Sequence, residues 1–393
     1  MPLASAVRMS KTTATDATPL RDRLERLAAL EPQPFPVISL YLDLRPDQHG
    51  RERYDAFVRK AFGERQKAFR PNTPERESFD RDTARIQAYL ANEVRPSANG
   101  VAIFACSGAD DLFEAVQLDT PLDEHWLFVA SVPHLYPLAQ AADRFPRYAA
   151  LVTDSAHARI VVFSLGAVEK TREITGVKTR STSIGGWSQA RYQRHTENLH
   201  LHHVKEVVDA LDRIVRTDAI PSVILAGEHE AITLVQKQLP AALNEKVVGV
   251  LRMDVDVPED ELFRRTLEML RKNDAKTDTE LVHEAIDAWQ AHGLGTVGTL
   301  ATAQALTLGQ VDQLLITGKP EQLKPVQGEL PETVAGEIVA ETSSPAGADP
   351  AHLKVAAELI HRAQQTGARI RFIEDPDLLR DFGGVAALLR FRV

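Results

Sequence analysis

Cysteine is almost absent from this sequence: its 393 residues include one, Cys106. A single cysteine excludes a disulfide framework and a cysteine-rich zinc module, and its place in an apolar run predicts a buried thiol. No apolar run approaches the roughly 18 residues that span a membrane, so no membrane partner is expected. The first 20 residues lack an apolar signal core, so we expect no secretory signal and a cytoplasmic location.

Positive charge is not in excess either. Lys and Arg number 46 against 55 Asp and Glu, which gives a net charge of −9. This balance excludes a uniformly basic nucleic-acid-binding protein, although it permits a local basic patch. The apolar fraction of 44% and charged fraction of 26% are ordinary for a folded protein, and the length predicts two or three domains.

Strand-like and helical patterns alternate along the chain, which predicts an α/β (α+β) fold in three domains. After a flexible tail at 1–20, we expect an N-terminal α+β domain at 21–145, a middle domain at 146–274 with a glycine loop at 178–195, and a C-terminal domain at 275–393. The local patterns predict a hairpin over 148–165, an amphipathic helix over 199–215, two separate helices after Pro258 and around 280–291, and a helix over 351–366 that Gly367 stops. Residues 319–350 hold five prolines and six acidic residues against two lysines, which predicts a mobile insertion.

A GxGxxG pattern occurs at Gly293, Gly295 and Gly298. A dinucleotide fingerprint should follow a strand and open a helix, with an acidic residue about 20 positions later. Here a helix precedes the pattern and no Asp or Glu lies near position 318, so we interpret it as a turn. No cofactor is expected.

Three histidines and one aspartate leave alternatives open. His200, His202 and His203 lie close together, but no cysteine or suitably spaced carboxylate completes a zinc site, so solvated or RNA-facing histidines are favoured over a metal site. Asp154 ends a predicted strand, where some nuclease folds place a metal-binding acid. Without identifiable partner acids, a turn-forming aspartate is favoured, and no metal is expected.

The segment 178–205 is locally basic in this acidic protein. Five Lys or Arg residues against one Glu give it a net charge of +4, and four histidines are interspersed. Lys and Arg release counterions from nucleic-acid phosphates, and aromatic residues such as Trp187 and Tyr192 stack on unpaired bases. Gly185 and Gly186 permit close backbone approach to a ligand. The pattern fits an RNA-contact element, with an ordinary solvated loop as the alternative.

The sequence IGGWSQARYQRHTENLHLHHVKEVVDAL resembles the catalytic loop and following helix of the archaeo-eukaryotic class I peptide-chain release factors. Their loop carries Gly-Gly-Gln, then Ser, and an Arg-aromatic-x-Arg segment. The matching positions in this chain are Gly185, Gly186, Ser188, Arg191, Tyr192 and Arg194. PVISLYLDL, RYAALVTDSAHARIVVFSLG and ARIRFIED with DFGGVAALLRF are similar to parts of the family's three domains. The resemblance implies an RNase H-like middle domain and a ribosomal-protein-like α/β/α C-terminal domain.

Two positions depart from the family pattern. Trp187 stands where the family has the glutamine that helps to place the hydrolytic water, and an indole offers one N–H donor and no acceptor. Gln189 follows two residues later, as in rescue relatives in which the glutamine is displaced. The first domain also lacks the Asn-Ile-Lys-Ser element that the family uses at the stop codon.

The resemblance implies a translation factor that binds the ribosomal A site without reading a stop codon, acts on stalled ribosomes and hydrolyses the peptidyl-tRNA ester if it is an enzyme. Its implied catalytic residues are Gly185, Gly186 and Gln189. Its implied RNA-binding residues are Lys178, Arg180, Trp187, Ser188, Arg191, Tyr192, Arg194 and His195.

The implied partners are ribosomal RNA, the CCA end of the P-site tRNA and a translational GTPase such as elongation factor Tu. We expect a monomer. One alternative is a non-catalytic hibernation factor, like the bacterial relative Balon, which lacks Gly-Gly-Gln and occupies the A site of idle ribosomes. The other is a nuclease-like enzyme outside translation.

Overall fold

The computed structural model describes residues 20–46, 54–108, 110–175, 188–325, 339–342 and 350–392. These residues belong to two compact units. The middle unit includes Phe145–Asp274, and the split unit combines Ala17–Arg144 with Ala275–Val393. No helix among the described residues is long and apolar enough to cross a membrane.

The N-terminal section of the split unit forms an antiparallel sheet with helices. Its elements are α1 (Leu20–Ala28), β1 (Val37–Asp43), α2 (Tyr54–Gln66), α3 (Pro74–Asn92), β2 (Gly100–Cys106), β3 (Leu112–Leu118), β4 (Trp126–Ala130) and α4 (Tyr136–Arg144). Strand β1 is central and pairs with β2 and β4. Its alternation sends Ile38, Leu40 and Leu42 into one core with α2 and α3. Cys106, in β2, is buried as predicted.

The middle unit is a mixed five-stranded sheet with helices on both faces. Its elements are β5 (Tyr148–Thr153), β6 (His157–Ser164), β7 (Ala167–Thr175), α5 (Ser188–Thr217), β8 (Ser222–Gly227), α6 (His229–Gln238), α7 (Ala241–Asn244), β9 (Val247–Arg252) and the first part of α8 (Glu259–Gln290). The strand order is β7-β6-β5-β8-β9, with β5, β8 and β9 parallel. Apolar residues of α5 and α6 pack on one face and those of α8 on the other. The predicted β5–β6 hairpin is confirmed.

Helix α8 differs from the prediction of two separate helices. It is continuous over 32 residues and crosses the boundary between the units. The acidic Glu259, Asp260 and Glu261 fill its first turn, where negative charge is favourable.

The C-terminal section adds a four-stranded sheet. Its elements are β10 (Gly295–Val297), α9 (Thr299–Thr307), β11 (Val311–Thr317), β12 (Val339–Thr342), α10 (Pro350–Gln365), β13 (Arg369–Ile373) and β14 (Val385–Leu389). The order β10-β14-β11-β13 leaves β12 outside this sheet. Val282 and Ala285 of α8 pack on one sheet face, while α9 and α10 also pack against its strands, so the predicted mixed α/β fold class is confirmed. Gly367 ends α10 with a positive φ of 64°, as predicted.

The GxGxxG pattern is not a dinucleotide loop. It follows α8, and Gly295 lies in β10, so close to α8 that a Cβ there would lie 2.3 Å from the Ala285 carbonyl oxygen. Gly298 caps α9 with a φ of 86°. Backbone geometry therefore accounts for both glycines. The turn interpretation is wrong from Gly295 onward, because β10 begins there.

The predicted insertion 319–350 is not one uninterrupted loop. A short 3₁₀ helix occupies Pro320–Gln322, and β12 pairs antiparallel with β4 of the N-terminal section. A four-residue strand paired at such a sequence distance has no local signature, which is why composition alone indicated only a loop.

Candidate functional site

The glycine-rich segment emerges between the end of β7 and the start of α5. Five predicted site residues, Lys178, Arg180, Gly185, Gly186 and Trp187, lie outside the described residues. The described part of the site consists of the elements on either side of the segment.

Helix α5 begins at Ser188, earlier than the sequence pattern indicated. The predicted loop 178–195 is thus wrong in its second half, because the residues from Ser188 onward are helical. Gln, Ala and Arg are good helix formers, and they dominate this stretch, although its lack of apolar periodicity hid the helix. Six predicted site residues lie in the first turns of α5: Ser188, Gln189, Arg191, Tyr192, Arg194 and His195.

The C-terminal half of α5 anchors the helix to the sheet. Val204, Val207 and Leu211 are buried in one cluster with Ala158 and Ile160 of β6. Their spacing of three and four residues forms the apolar face that the sequence predicts. Ser188 lies fifteen residues before His203, or about 22 Å along the axis at 1.5 Å per residue, so the start of α5 is far from this anchor.

The other side of the segment is fixed by a tight turn. Thr175, the last residue of β7, lies directly opposite His157 in the antiparallel register. Just before His157, Asp154 Oδ1 accepts the backbone N–H groups of Ala156 and His157, each at 2.6 Å. Asp154 Oδ2 lies 3.3 Å from His157 Nδ1. Asp154 is therefore a turn-forming residue, as favoured from the sequence.

The pKa of Asp154 agrees with its role as an acceptor in this turn. Burial raises the pKa of Asp154, but the N–H groups of Ala156 and His157 and the His157 ring outweigh it, so the pKa is lowered overall. The carboxylate is accordingly ionised when it accepts these hydrogen bonds.

A close approach of backbones completes this end of the sheet. Gly227 ends β8 with a φ of 135°, and a Cβ there would lie 1.9 Å from the Thr153 carbonyl oxygen. Glu228 then donates its N–H to that oxygen at 3.1 Å. Only glycine fits at position 227, which the sequence pattern did not reveal.

His203 differs from its predicted solvated state. It is 5% exposed, and neither ring nitrogen has a hydrogen-bond partner among the described residues. Burial lowers its pKa, and the nearby His157 and His200 lower it further against the opposing effect of Glu206 and Asp154, so the imidazole is held neutral. The sequence does contain a signal for this burial, because His203 shares the apolar face of α5 with Val207 and Leu211 at four-residue spacing.

The three histidines thus separate into different environments. His200 is half-buried and His202 is exposed, whereas His203 is buried. Within the described ranges, no group of three or more His, Cys, Asp or Glu side chains is arranged to hold a metal ion.

The arrangement presents one chemical feature toward the glycine-rich segment. The first N–H groups of α5 have no intrahelical acceptor, and the N-terminal end of a helix carries partial positive charge. Arg191 and Arg194 lie in the same turns. Such a helix start is suited to phosphate groups.

Comparison with known proteins then identifies this region. Residues 133–271 match the family described as bacterial archaeo-eukaryotic release factor family 10. This region is release-factor-like. The resemblance drawn from the Gly-Gly-Trp-Ser-Gln segment is thereby confirmed, and the matched range includes the segment and all of α5.

Solved structures of release factors and their relatives also align with the chain. The crystal structure of the archaeal translation termination factor aRF1 aligns at 15% identity and a TM-score of 0.27, over 95% of this chain and 97% of that one. Dom34 of S. cerevisiae, described as a translation termination-like factor interacting with Hbs1, aligns at 12% identity and a TM-score of 0.42, over 75% and 79%. Archaeal Pelota, bound to the ribosome with ABCE1, aligns at 13% and 0.42, over 96% of each chain. No curated protein matches the chain.

Proposed function

We propose that the protein is a release-factor-like translation factor that binds the ribosomal A site without reading a stop codon and acts on stalled ribosomes. The family match over 133–271 carries this proposal, because it contains both the glycine-rich segment and α5. The sequence lacks the Asn-Ile-Lys-Ser element that the family uses at the stop codon. Stop-codon reading is therefore left out of the proposal.

Charge supports an RNA partner for this element. The segment 178–205 carries a net charge of +4 in a protein whose net charge is −9. Arg191 and Arg194 lie where the helix start itself favours anions. Phosphates of ribosomal RNA and of the CCA end of the P-site tRNA are the proposed contacts, with Trp187 and Tyr192 stacking on bases.

Hydrolysis of the peptidyl-tRNA ester is the candidate reaction. Gln189 would orient a water molecule beside the backbone of Gly185 and Gly186, and a fixed water with oriented donors would supply the rate gain.

A second candidate, a non-catalytic occupant of idle ribosomes, is favoured by two observations. Trp187 occupies the glutamine position and cannot reproduce the water contacts of an amide. Gln189 lies in α5 rather than in a loop, so its backbone is committed to a helix. Base stacking requires neither a glutamine at position 187 nor Gln189 in a loop, so the protein would still bind the ribosome without hydrolysing the ester.

Other partners remain predictions for this chain. Dom34 is described with Hbs1, and archaeal Pelota with the ribosome and ABCE1. By analogy, delivery by a translational GTPase such as elongation factor Tu is part of the proposal, as is a cytoplasmic site of action.

A hydrolysis assay on stalled ribosome–nascent-chain complexes, with co-sedimentation in parallel, tests the proposal. Gln189→Ala is the variant that tests the catalytic role, and Gln193→Ala is the matched control in the same helix. Release by the wild type and the control but not by Gln189→Ala identifies a rescue hydrolase. Co-sedimentation without release, strongest on vacant ribosomes, identifies the non-catalytic occupant. The absence of both peptide release and co-sedimentation would contradict the proposed function.

Trp187→Ala tests the stacking contact separately. We expect weaker ribosome binding by about 1–3 kcal/mol, the range for one stacked base. Unchanged affinity would contradict a stacking role for the indole.

A further inference from the structure

Strand β4 would be the edge of the N-terminal sheet if β12 did not cover it. On one side β4 pairs with β1, where Val37 lies opposite Ala130 and Tyr41 opposite Trp126. On the other side it pairs only with β12, in a register that runs from Val339 opposite Val129 to Thr342 opposite Trp126. The outer hydrogen-bonding groups of β4 are thus satisfied by a segment more than 200 residues later in the chain.

The composition of β4 would make an uncovered edge prone to pair with another chain. Its sequence Trp-Leu-Phe-Val-Ala contains no charged residue and no proline. Leu127, Phe128 and Val129 are buried, and the Trp126 ring stacks on the Phe128 ring at 5.3 Å. An apolar, uncharged edge strand is a template for pairing with another chain.

Strand β12 is not needed to join the two sections of the split unit, because other contacts already do so. Tyr136 donates its hydroxyl to the Thr317 carbonyl at 2.8 Å, and Gln140 donates to the Gly318 carbonyl at 2.6 Å. Gln365 of α10 donates to the carbonyl of Ala28 in α1 at 3.1 Å. The specific effect of β12 is therefore to cover the outer edge of β4.

A second copy of the same strand is the partner that this edge fits. Two identical strands that pair antiparallel are related by a two-fold axis, and such an interface closes after two copies. Centred on Phe128, the pairing would place Trp126 opposite Ala130 of the other copy and Leu127 opposite Val129. A five-residue strand that pairs antiparallel with β1 on its inner side can form this outer ladder without a change of backbone.

We propose that β12 is a capping strand that prevents edge-to-edge dimerisation of the chain through β4. The cap itself makes a poor edge, because it is four residues long and contains Glu341. Short, charged edges are a recognised means of preventing sheet association. The insertion 319–350 thereby has a role in keeping the protein monomeric.

Two adjacent prolines in β12 test this inference. Successive N–H groups of a strand point to opposite sides, so A340P/E341P removes one donor to β4 whichever residue supplies it. The matched control is T333P/V334P, in the same insertion but outside β12. Hydrogen exchange of residues 126–130 and the molar mass across a range of concentrations are measured for both variants and the wild type.

The expected result has two parts. In A340P/E341P, exchange of the outward β4 amides accelerates about tenfold at low concentration, the equivalent of one hydrogen bond removed. Dimers then form as concentration rises, while the wild type and the control stay monomeric. A peptide with the sequence of 336–345, added in excess, restores the monomer, and a scrambled peptide does not. This rescue also separates loss of the cap from unfolding.

Three results would overturn the inference. Unchanged exchange of β4 would show that β12 does not cover this edge. Accelerated exchange in a variant that stays monomeric at every concentration would show that the uncovered edge does not self-associate. Association that the β12 peptide fails to reverse would assign it to another surface.

Discussion

The two units are built from the chain in different ways. The middle unit takes all five strands from one continuous stretch of the chain. The split unit combines strands and helices from both ends of the chain, and β12 joins a sheet made otherwise of N-terminal strands. In addition to its apolar cores, the split unit therefore has polar contacts between residues far apart in sequence, whereas the middle unit has a local turn and a core from one stretch of the chain.

The clearest long-range contact lies where the two sections of the split unit meet. Arg371 of β13 lies 2.6 Å from an oxygen of Asp278 and 3.5 Å from one of Asp143. Asp143 also accepts the N–H of Phe372 at 2.9 Å. These side chains are largely buried, so the arginine brings a positive charge to both carboxylates where water has little access.

Arg371→Met should give the largest effect. Removing the positive charge from a largely buried ion group leaves two carboxylates without it and costs about 3–5 kcal/mol. The destabilisation should appear in hydrogen exchange of the split unit and leave the middle unit unchanged. Arg369→Met, two residues earlier, breaks only the exposed pair with Asp312 and should cost about 0–1 kcal/mol. Equal destabilisation by the two variants would contradict the assigned role of the junction.

Acid should destabilise the split unit through its buried histidines. Burial lowers the pKa of His134 to about 3 and that of His361 to about 4, the latter helped by Arg362. Both rings are neutral in the folded unit, whereas the unfolded chain binds protons below about pH 6.5. Stability therefore falls as pH decreases from about 6.5 toward 4, by up to about 1.4 kcal/mol per pH unit for each histidine.

Replacement by a side chain that cannot ionise measures this contribution. His361→Leu removes the proton uptake of the unfolded chain at this site, so the dependence of the unfolding free energy on pH should become shallower. His283→Leu, at an exposed position of α8, serves as the control. A pH dependence that is the same in both variants would contradict the buried-histidine explanation.

The smallest effect is expected at the turn beside β7. Asp154→Ala removes the acceptor for two N–H groups and should cost about 1–2 kcal/mol, with faster exchange at Ala156 and His157. Asp154→Asn retains one oxygen acceptor and should be less destabilising. If neither variant were destabilised, the hydrogen bonds to Asp154 would be irrelevant to this end of the sheet.

The contrast between local and long-range contacts also explains which elements are predictable from the sequence. The β5–β6 hairpin, the apolar face of α5 and the helix stop at Gly367 are local patterns, and each is found as predicted. The pairing of β12 with β4 depends on residues far apart in sequence and carries no local pattern.

Within the candidate site, motif spacing could identify the glycine-rich segment but not its structural surroundings. The early start of α5 at Ser188 is not predictable from periodicity, because the first turns of this helix lack an apolar repeat. The burial of His203 is difficult to predict because histidine occurs both in cores and on surfaces, although its spacing to Val207 places it on the core face of α5.

The central claim, binding in the ribosomal A site through the start of α5, is tested most directly by competition. Ribosome affinity is measured with the A site vacant or filled by aminoacyl-tRNA, over a range of salt, for the wild type, R191A/R194A and the matched control Arg213→Ala at an exposed position of the same helix. We predict binding that A-site tRNA abolishes and a salt slope that falls by about 2 in the double variant, because each substitution removes one phosphate-binding arginine. Binding that is indifferent to A-site tRNA, or equal in all three proteins, would contradict the account.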